Sequence, residues 1–276
     1  MIPYLYLLGQ SHSGSTILAF LANAHPEIVS VGEVSRLGEI LPDRWLRKAD
    51  LCSCGRSFYA CGFWNRALAG LAARGHGLGA TDPFGYPPAE RETAERRLLA
   101  LVEAMLDVTG KRVFFDASKA LDYVPVIARN PHFAVRFIDL HRNGRGVITS
   151  WLNRLAGQQP ERVVRRWVTL ERQREQVRAQ LPPGSVLRVS YEEVAAAPQT
   201  ALRPLFACAG VAPDIDVSAG YKSKVEHHII GNQMRLNDQE SVRLDKKWRA
   251  TWTPELERAF EKSGAAEINR RNGYAD

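Results

Sequence analysis

The chain has 276 residues, of which 45% are hydrophobic and 24% are charged, a composition typical of a globular protein with a substantial core. Its 37 basic residues are interspersed with 30 acidic ones, so the net charge of +7 fits a small polyanionic ligand, and we expect no nucleic-acid partner. No apolar run approaches the roughly 18 residues of a membrane span, and no secretion signal is recognised. We therefore expect a single cytoplasmic domain, residues 1–276, without membrane insertion.

The first predicted element is a short buried strand, Tyr4–Leu8, which a polar loop connects to a helix. The amide groups at the start of a helix are unpaired, and the helix dipole favours negative charge there. Glycine and serine in the loop let an anion approach the backbone closely. Residues 9–16 are therefore predicted to bind a phosphate-like group.

The loop almost matches the nucleotide-binding pattern G-x-x-x-x-G-K-[ST], with Gly9, Gly14 and Thr16 in place but Ser15 at the lysine position. In nucleoside-triphosphate enzymes that lysine and Mg²⁺ hold the transferring phosphoryl group. Residues 135–139, VRFID, resemble the strand and acid that support Mg²⁺ in such enzymes. A kinase therefore stays an alternative, which the missing lysine makes less favoured.

A second short strand, Ile28–Val31, is predicted to end at Gly32-Glu33, and residues 42–64 are predicted to be irregular. This irregular segment contains a C-x-C-x6-C pattern, which is compatible with zinc. The fourth ligand would have to come from a distant residue such as Cys208 or His76, and neither lies at ligand spacing. We therefore favour a structural thiol cluster or one disulfide over a metal site. The three cysteines of the pattern are Cys52, Cys54 and Cys61.

Strands alternate with helices along the rest of the chain, which predicts an α/β fold with a P-loop-like parallel sheet flanked by helices. Ligands of such sheets bind at the carboxyl ends of the strands. Residues 211–252 are predicted to form a long loop region, which is usually functional or mobile. The further predicted strands are Arg112–Asp116, Ala134–Leu140 and Val186–Tyr191. The predicted helices are Pro87–Val108, one that stops near Asn130, one containing Ser150 and Trp151, one carrying Val163 to Leu181, Pro198–Ala209, and one from Thr253-Pro254 to about Arg270.

Five segments of the chain resemble, in order, motifs of the sulfotransferases that use 3′-phosphoadenosine 5′-phosphosulfate (PAPS), particularly the bacterial branch. GQSHSGSTILAFLANAHPEI resembles the 5′-phosphosulfate loop, and LHRNGRGVITSW resembles the 3′-phosphate motif. RVSYEEVAAAP, HHIIGNQMR and INRRNGY resemble later elements of the family. The set spans nearly the whole chain and implies the sulfotransferase fold.

The resemblance implies PAPS as the sulfuryl donor and 3′,5′-adenosine bisphosphate (PAP) as the product. Arg142 and Ser150 would bind the 3′-phosphate, Tyr191 would lie near the adenine, and Arg235 would complete the 3′-phosphate clamp. Ordinary packing is the alternative for Ser150 and Tyr191. The donor's phosphosulfate would be held by the loop residues Ser11, His12, Ser13, Gly14, Ser15 and Thr16.

Sulfuryl transfer requires a base for the attacking group and positive charge on the leaving phosphate, and it requires no metal. Family members usually carry lysine or arginine where this chain has His12, which is only partly charged at neutral pH. Lys119, in the segment DASK, is the expected replacement cation, and its alternative is a surface lysine at a helix start. Glu33 is the expected base, with Asp116 second, and its alternative is a structural pair with Arg36.

Three functions follow from these patterns. The favoured one is a metal-independent PAPS sulfotransferase acting on a hydroxyl or amine of a small-molecule, carbohydrate or lipid acceptor. The alternatives are an ATP- and Mg²⁺-dependent small-molecule kinase and a non-catalytic nucleotide-binding protein.

Residues 36–90 and 211–250 are expected to shape the acceptor pocket as insertions into the domain. His227 and His228 would suit a substrate-side base or a ligand pair, but adjacent residues face different directions, so we assign neither. The aromatic side chains of the first insertion would suit an apolar or carbohydrate ligand, or a small satellite core, which is their more common use. These aromatic residues are Trp45, Phe58, Tyr59, Phe63, Trp64, Phe84 and Tyr86.

Overall fold

Five parallel strands form one sheet in the order β2-β3-β1-β4-β5. The structure is a computed structural model, and it describes residues 1–40, 51–77, 91–154, 157–217, 221, 226–237 and 241–274. The predicted α/β architecture with a parallel, helix-flanked sheet is confirmed. The strands are β1 (Ile2–Leu8), β2 (Ile28–Val29), β3 (Val113–Asp116), β4 (Phe133–His141) and β5 (Val186–Ser190).

The central strand β1 is apolar along its whole length because helices cover both faces of the sheet. Successive side chains point to opposite faces, so Tyr4 and Tyr6 enter one buried cluster while Leu5 and Leu7 enter another. All four side chains are at most 1% exposed. The sheet therefore separates two hydrophobic cores, and β1 contributes to both.

Eleven α-helices and four 3₁₀ segments are found in the described part of the chain. The first eight helices are α1 (Ser15–Asn23), α2 (Gly62–Ala73), α3 (Arg91–Thr109), α4 (Val124–Ala128), α5 (Gly144–Arg154), α6 (Pro160–Ala179), α7 (Tyr191–Ala196) and α8 (Pro198–Cys208). The last three are α9 (Trp248–Thr251), α10 (Pro254–Lys262) and α11 (Ala265–Arg271), and the 3₁₀ segments are Val34–Glu39, Phe58–Ala60, Leu121–Tyr123 and Gln233–Leu236.

The terminal helix predicted as one element is two helices, α10 and α11. Gly264 separates them with a φ of +79°, a left-handed conformation that a continuous helix does not contain. The segment predicted to be a loop over 211–252 contains the short helix α9 as well as a 3₁₀ turn. Neither difference changes the order of the strands in the sheet.

Helix α2 occupies part of the insertion that was expected to be irregular. Its buried residues Phe63, Trp64, Ala67 and Leu71 recur at helical spacing, but two glycines lower its helix propensity. The aromatic residues belong to the core: Phe58, Phe63 and Trp64 are at most 6% exposed. The hydroxyl of Tyr59 donates to the Ile40 carbonyl oxygen. Trp45, Phe84 and Tyr86, like residues 87–90 of the helix predicted from Pro87, lie outside the described residues.

Strands that follow β1 in sequence lie on both sides of it in the sheet. From β1 the chain runs through α1 to the edge strand β2, returns through β3, and then places β4 on the other side of β1. The loop after β1 therefore lies where the connections diverge, which is the ligand-binding position of open α/β sheets. Among the described residues, no helix is both long and apolar enough to cross a lipid bilayer.

Candidate active site

The loop after β1 forms a tight turn that leads directly into α1. Its residues His12 and Gly14 have positive φ angles of 69° and 93°. The amide and hydroxyl of Ser13 both donate to the carbonyl oxygen of Gln10, at 3.3 and 2.6 Å. Because no side chain caps the N-terminus of α1, its first amide groups can donate to a bound anion.

The loop packs closely against Tyr191, the first residue of α7. A methyl group added at Gly14 would lie 2.3 Å from Cδ2 of the Tyr191 ring. The ring itself is 3% exposed, and its hydroxyl accepts from the Asp245 amide at 3.1 Å. The structure thus places Tyr191 at the loop, although Tyr191 and the loop belong to motifs that are far apart in the sequence.

We expect Gly14→Ala to destabilise the loop and to abolish anion binding there. The substitution combines a left-handed backbone with a steric clash, and the expected loss of unfolding free energy is about 2–4 kcal/mol. Gly184→Ala is the matched control, because Gly184 also has a positive φ, 75°, but open space around it. Thermal unfolding of both variants checks this, and equal losses of stability would contradict the role of the Tyr191 contact.

Arg142 and Ser150 both reach the loop at His12. The Arg142 guanidinium donates through Nη1 to the His12 carbonyl oxygen at 2.9 Å, and Ser150 Oγ lies 2.6 Å from His12 Nδ1. The same guanidinium lies 4.4 Å from the centre of the Tyr191 ring and 3.2 Å from the Asp245 carboxylate. Four residues predicted to contact the donor therefore meet at one side of the loop.

His12 is a neutral hydrogen-bonding group in this environment. Burial lowers the pKa of its imidazole, and the positive charges of Arg154, Arg142 and Lys119 lower it further. Since the ordinary pKa of histidine is about 6.5, the ring is uncharged at neutral pH. The positive charge beside the loop therefore comes from arginine and lysine side chains.

Glu33 and Lys119 form a partly buried ion pair on the other side of the loop. Lys119 Nζ lies 2.8 Å from Glu33 Oε1, and Arg36 Nη1 lies 3.2 Å from the second carboxylate oxygen. Burial raises the pKa of Glu33, but the charges and hydrogen bonds of Lys119 and Arg36 outweigh it and the pKa is lowered. Glu33 therefore forms the ion pair with Arg36 that was the alternative to a catalytic role, and it also pairs with Lys119.

The backbone around Lys119 explains how this lysine faces the site. Strand β2 pairs with β3, and the Ala117 amide donates to the Gly32 carbonyl oxygen, so the segments after the two strands lie side by side. Lys119 has a φ of +63°, and its Nζ also donates to the Ala117 carbonyl oxygen at 2.7 Å. The side chain is only 7% exposed, so Lys119 is not an ordinary surface lysine.

Asp116, the second candidate base, lies below the site in the core. It is 2% exposed and accepts hydrogen bonds from the Tyr4 hydroxyl at 2.8 Å and from the amide and hydroxyl of Ser118. Burial raises the pKa of its carboxyl to about 6, against the hydrogen bonds of Ser118 and Tyr4. Asp116 is not among the residues that line the cavity described below. Its contacts support the turn that carries Lys119.

The acid of VRFID, Asp139, is enclosed by arginines beneath the loop. Its carboxylate pairs with Arg174 and, at 2.5 and 3.5 Å, with Arg178 and Arg188. Arg174 in turn pairs with Glu171, which accepts from the side chain of Gln10 in the loop. This arrangement links α6 to the loop, and it gives Asp139 a structural role instead of the Mg²⁺-supporting role of the kinase alternative.

Arg235 and the two adjacent histidines, His227 and His228, contact other groups than the predicted donor-binding residues. Arg235 is 2% exposed and donates through Nη2 to the Leu51 carbonyl oxygen at 2.8 Å. The ring of His228 stacks on Phe20, with ring centres 4.2 Å apart, whereas His227 faces the three cysteines. None of the three lines the cavity. The structure therefore does not bring Arg235 together with Arg142 and Ser150.

A cavity of about 1290 Å³ opens beside the loop and contains most of the predicted site. Among the described residues, nine arginine and lysine side chains but only two carboxylates, Glu33 and Asp245, line it. Such a wall attracts a multiply charged anion. The predicted residues on the wall are Ser11, His12, Gly14, Ser15, Thr16, Glu33, Lys119, Arg142, Ser150 and Tyr191, whereas Ser13 is buried inside the turn.

Several residues of the cavity wall were not predicted from the sequence. The indole of Trp151 donates to the Ser11 carbonyl oxygen at 3.1 Å and so holds the loop. Arg154 and Arg166 add charge on the same side, and the segment 243–247 closes the wall with Arg243, Lys246 and Lys247. In the sequence these arginines and lysines have the pattern of ordinary solvated charges, so no local signal distinguishes them from surface residues.

The fold and this wall define a P-loop-like α/β protein with a basic cavity at the end of its central strand. A profile of the sulfotransferase family matches residues 3–214, which is most of the chain. The chain belongs to the sulfotransferase family. Comparison with curated protein sequences gave no match.

Solved structures of bacterial sulfotransferases share the fold. A sulfotransferase domain of the Synechococcus PCC 7002 olefin synthase is 19% identical, with a TM-score of 0.62 and coverage of 99% of this chain and 95% of that one. A sulfotransferase domain from the curacin biosynthetic pathway is 17% identical, with a TM-score of 0.58 and coverage of 95% and 97%. A Mycobacterium avium sulfotransferase is 13% identical, with a TM-score of 0.52 and coverage of 96% and 76%.

Proposed function

We propose that this sulfotransferase moves a sulfuryl group from PAPS to a hydroxyl or amine of an acceptor that is a small molecule, a carbohydrate or a lipid. The observation that carries the proposal is the arrangement around the loop. Arg142 and Ser150 lie on one side of it, and the Glu33–Lys119 pair lies on the other. The cationic and hydroxyl groups suit a donor with two anionic groups, and the Glu33 carboxylate suits an acceptor with a transferable proton.

Donor binding is assigned to the loop and the Arg142 side of the cavity. The amides that begin α1 and the hydroxyls of Ser15 and Thr16 suit the tetrahedral oxygens of the 5′-phosphosulfate. The Arg142 guanidinium, which already contacts the loop backbone, offers a planar donor pair to the 3′-phosphate, and Ser150 adds a hydroxyl. Tyr191, packed between Gly14 and the Arg142 guanidinium, holds both of them in place on the adenine side.

The transfer step is assigned to Glu33, Lys119 and His12. Glu33 accepts the proton of the acceptor hydroxyl. The acceptor oxygen bonds to sulfur while the bond from sulfur to the 5′-phosphate oxygen breaks. Lys119 and the loop amides stabilise the negative charge that develops on the departing phosphate, and His12 donates a hydrogen bond to it. As Lys119 turns toward that phosphate, Glu33 loses one of its two cationic partners and becomes a stronger base.

The kinase alternative is disfavoured by two features of the same site. Ser15 replaces the lysine that holds a transferring phosphoryl group. Asp139, the acid in the position for supporting Mg²⁺, is only an ion-pair partner of three arginines. The proposed reaction needs no metal at the reacting centre.

We expect PAP to stabilise the protein more than ATP with Mg²⁺ does. A ligand that binds only the native state at 100 times its Kd adds about 2.7 kcal/mol, which raises the Tm of a chain of this size by roughly 5–10 °C. Thermal shift assays with PAP, 5′-AMP and ATP with Mg²⁺ check this. The matched ligand 5′-AMP lacks the 3′-phosphate and should give a much smaller shift. A preference for ATP would overturn the proposed donor.

The acceptor is addressed by assaying transfer directly. Purified protein is incubated with sulfur-labelled PAPS and panels of phenols, alcohols, amines, sugars and lipids, and labelled products are separated. Transfer of label to one class, dependent on Glu33, supports the enzyme, whereas PAP binding without transfer to any class favours the nucleotide-binding alternative.

A further inference from the structure

Four potential metal ligands meet outside the cavity, where the two insertions of the domain touch. They are the thiols of Cys52, Cys54 and Cys61 and the imidazole of His227, and their ligand atoms all lie within 4.8 Å of one another. The fourth member is not Cys208 or His76, the distant ligands considered from the sequence. His227 comes from the other insertion, 166 positions after Cys61.

The distances between these atoms match a tetrahedral site. Cys61 Sγ lies 3.8 Å from Cys52 Sγ and 3.6 Å from Cys54 Sγ, and His227 Nδ1 lies 3.3 and 3.6 Å from the sulfurs of Cys61 and Cys52. With Zn–S near 2.3 Å and Zn–N near 2.0 Å, a regular tetrahedron places two sulfurs about 3.8 Å apart and a sulfur and a nitrogen about 3.5 Å apart.

The sequence favoured a structural thiol cluster or one disulfide, and the distances exclude the disulfide. Two bonded sulfurs lie about 2.0 Å apart, whereas all four cysteines are free thiols. Three thiols and an imidazole turned toward one point are instead the ligand set of structural zinc sites. We propose that Cys52, Cys54, Cys61 and His227 bind one structural Zn²⁺ ion.

The surrounding structure holds each ligand in place. The Gly55 amide donates to the Cys52 carbonyl oxygen at 2.9 Å, which closes a turn that carries Cys52 and Cys54 to the same side. Cys61 immediately precedes α2, and its position is fixed as the N-cap residue of that helix. The Phe63 ring stacks on His227 with ring centres 4.6 Å apart and planes 1° apart.

The proposed zinc would complete a connection between the two insertions. Ser53 exchanges backbone and side-chain hydrogen bonds with His228, and its hydroxyl donates to the Glu226 carbonyl oxygen. The following Ile229 pairs with Gly32, and Gly231 then lies beside Glu33 and Thr16. The cluster therefore holds one wall of the cavity, and because protein atoms fill all four positions, the ion would be structural and not catalytic. This inference does not depend on the identity of the donor or acceptor.

Binding of zinc to this cluster is coupled to proton release. Three thiols lose their protons as three Zn–S bonds form, and the imidazole binds in its neutral form through Nδ1. We therefore expect affinity for zinc to fall as the pH decreases.

Metal analysis of the purified full chain tests the proposal. Protein equilibrated with zinc and then dialysed should retain about one zinc per chain by mass spectrometry. Replacement by Co²⁺ should produce the sulfur-to-cobalt charge-transfer bands and the strong visible bands of a tetrahedral thiolate site. Removal of the metal with a chelator should lower the Tm and expose three thiols to a thiol reagent.

Two variants of the cluster and one control assign the ligands. Cys61→Ser and His227→Ala should each lose zinc, whereas Cys208→Ser, which alters the one cysteine outside the cluster, should keep it. If either ligand variant fails to fold, the zinc content and cobalt spectrum of the wild-type chain still decide the question. Wild-type protein with less than about a tenth of a zinc per chain after equilibration, or with cobalt bands that lack sulfur character, would overturn the assignment.

Discussion

Arg142→Ala is expected to weaken binding of PAP by at least about 100-fold while the protein stays folded. A guanidinium that donates to a phosphate through two charge-assisted hydrogen bonds contributes about 1.5–3 kcal/mol for each bond, and the variant loses both. The cost to the fold is smaller, because the Arg142 side chain makes only a few polar contacts, to His12 and Asp245, and lies on the Tyr191 ring.

Titration calorimetry with PAP measures the loss, and circular dichroism checks the fold. Arg142→Lys separates charge from geometry, since lysine keeps the positive charge but not the planar pair of donors. Arg112→Ala is a control, because Arg112 pairs with Glu27 and does not line the cavity. Wild-type affinity in Arg142→Ala would remove this residue from the donor site.

Glu33→Gln is expected to lower kcat by about 100- to 10,000-fold, the range contributed by a positioned general base. PAP affinity should not fall, because Glu33 repels a phosphate and contributes no hydrogen-bond donor to it. The loss would therefore appear in kcat at saturating donor. In the wild-type enzyme, the lowered pKa of Glu33 predicts that kcat/KM falls only below the ordinary glutamate pKa of 4.5, where the base becomes protonated.

Two further variants separate the base from its partners. Arg36→Ala removes the exposed cation of the cluster but leaves the Glu33–Lys119 pair, and it should keep most of the activity. Asp116→Asn tests the buried carboxyl and should reduce stability more than turnover, since Asp116 accepts bonds from Tyr4 and Ser118. Normal turnover in Glu33→Gln, with a loss in Asp116→Asn, would transfer the role of base to Asp116.

The anion loop was predictable because its signal is local. A strand, a glycine- and serine-containing turn and the first residues of a helix follow one another within 16 positions, and backbone amides, not distant side chains, make the site. Arg142 and Ser150 were expected at one site by resemblance to a family motif of 12 residues, and both contact the loop at His12, whereas their binding of the donor stays a prediction. In both cases the chain segment that carries the motif also fixes most of its geometry.

The pairing of Glu33 with Lys119 depended on strand order. Each residue follows a strand, but the sequence does not state that β2 and β3 are neighbours, and only their pairing brings the two strand ends together. Arg235 shows the opposite outcome. The motif that contains it lies near the site, but its side chain is buried against the Leu51 carbonyl oxygen, so motif membership did not determine what the arginine contacts.

By itself, the sequence determined the alternation of strands and helices, the position of the loop after the first strand and the family, because periodicity and motif are properties of short segments. Tertiary structure alone decided that Asp139 pairs with arginines, that Asp116 lies in the core, and that His227 joins three cysteines from another insertion. These contacts join residues between 35 and 175 positions apart, and no local pattern encodes which distant segment will pack against which. Packing of the sheet and its insertions selects the partners, and the partners determine whether a charged side chain can act on a ligand.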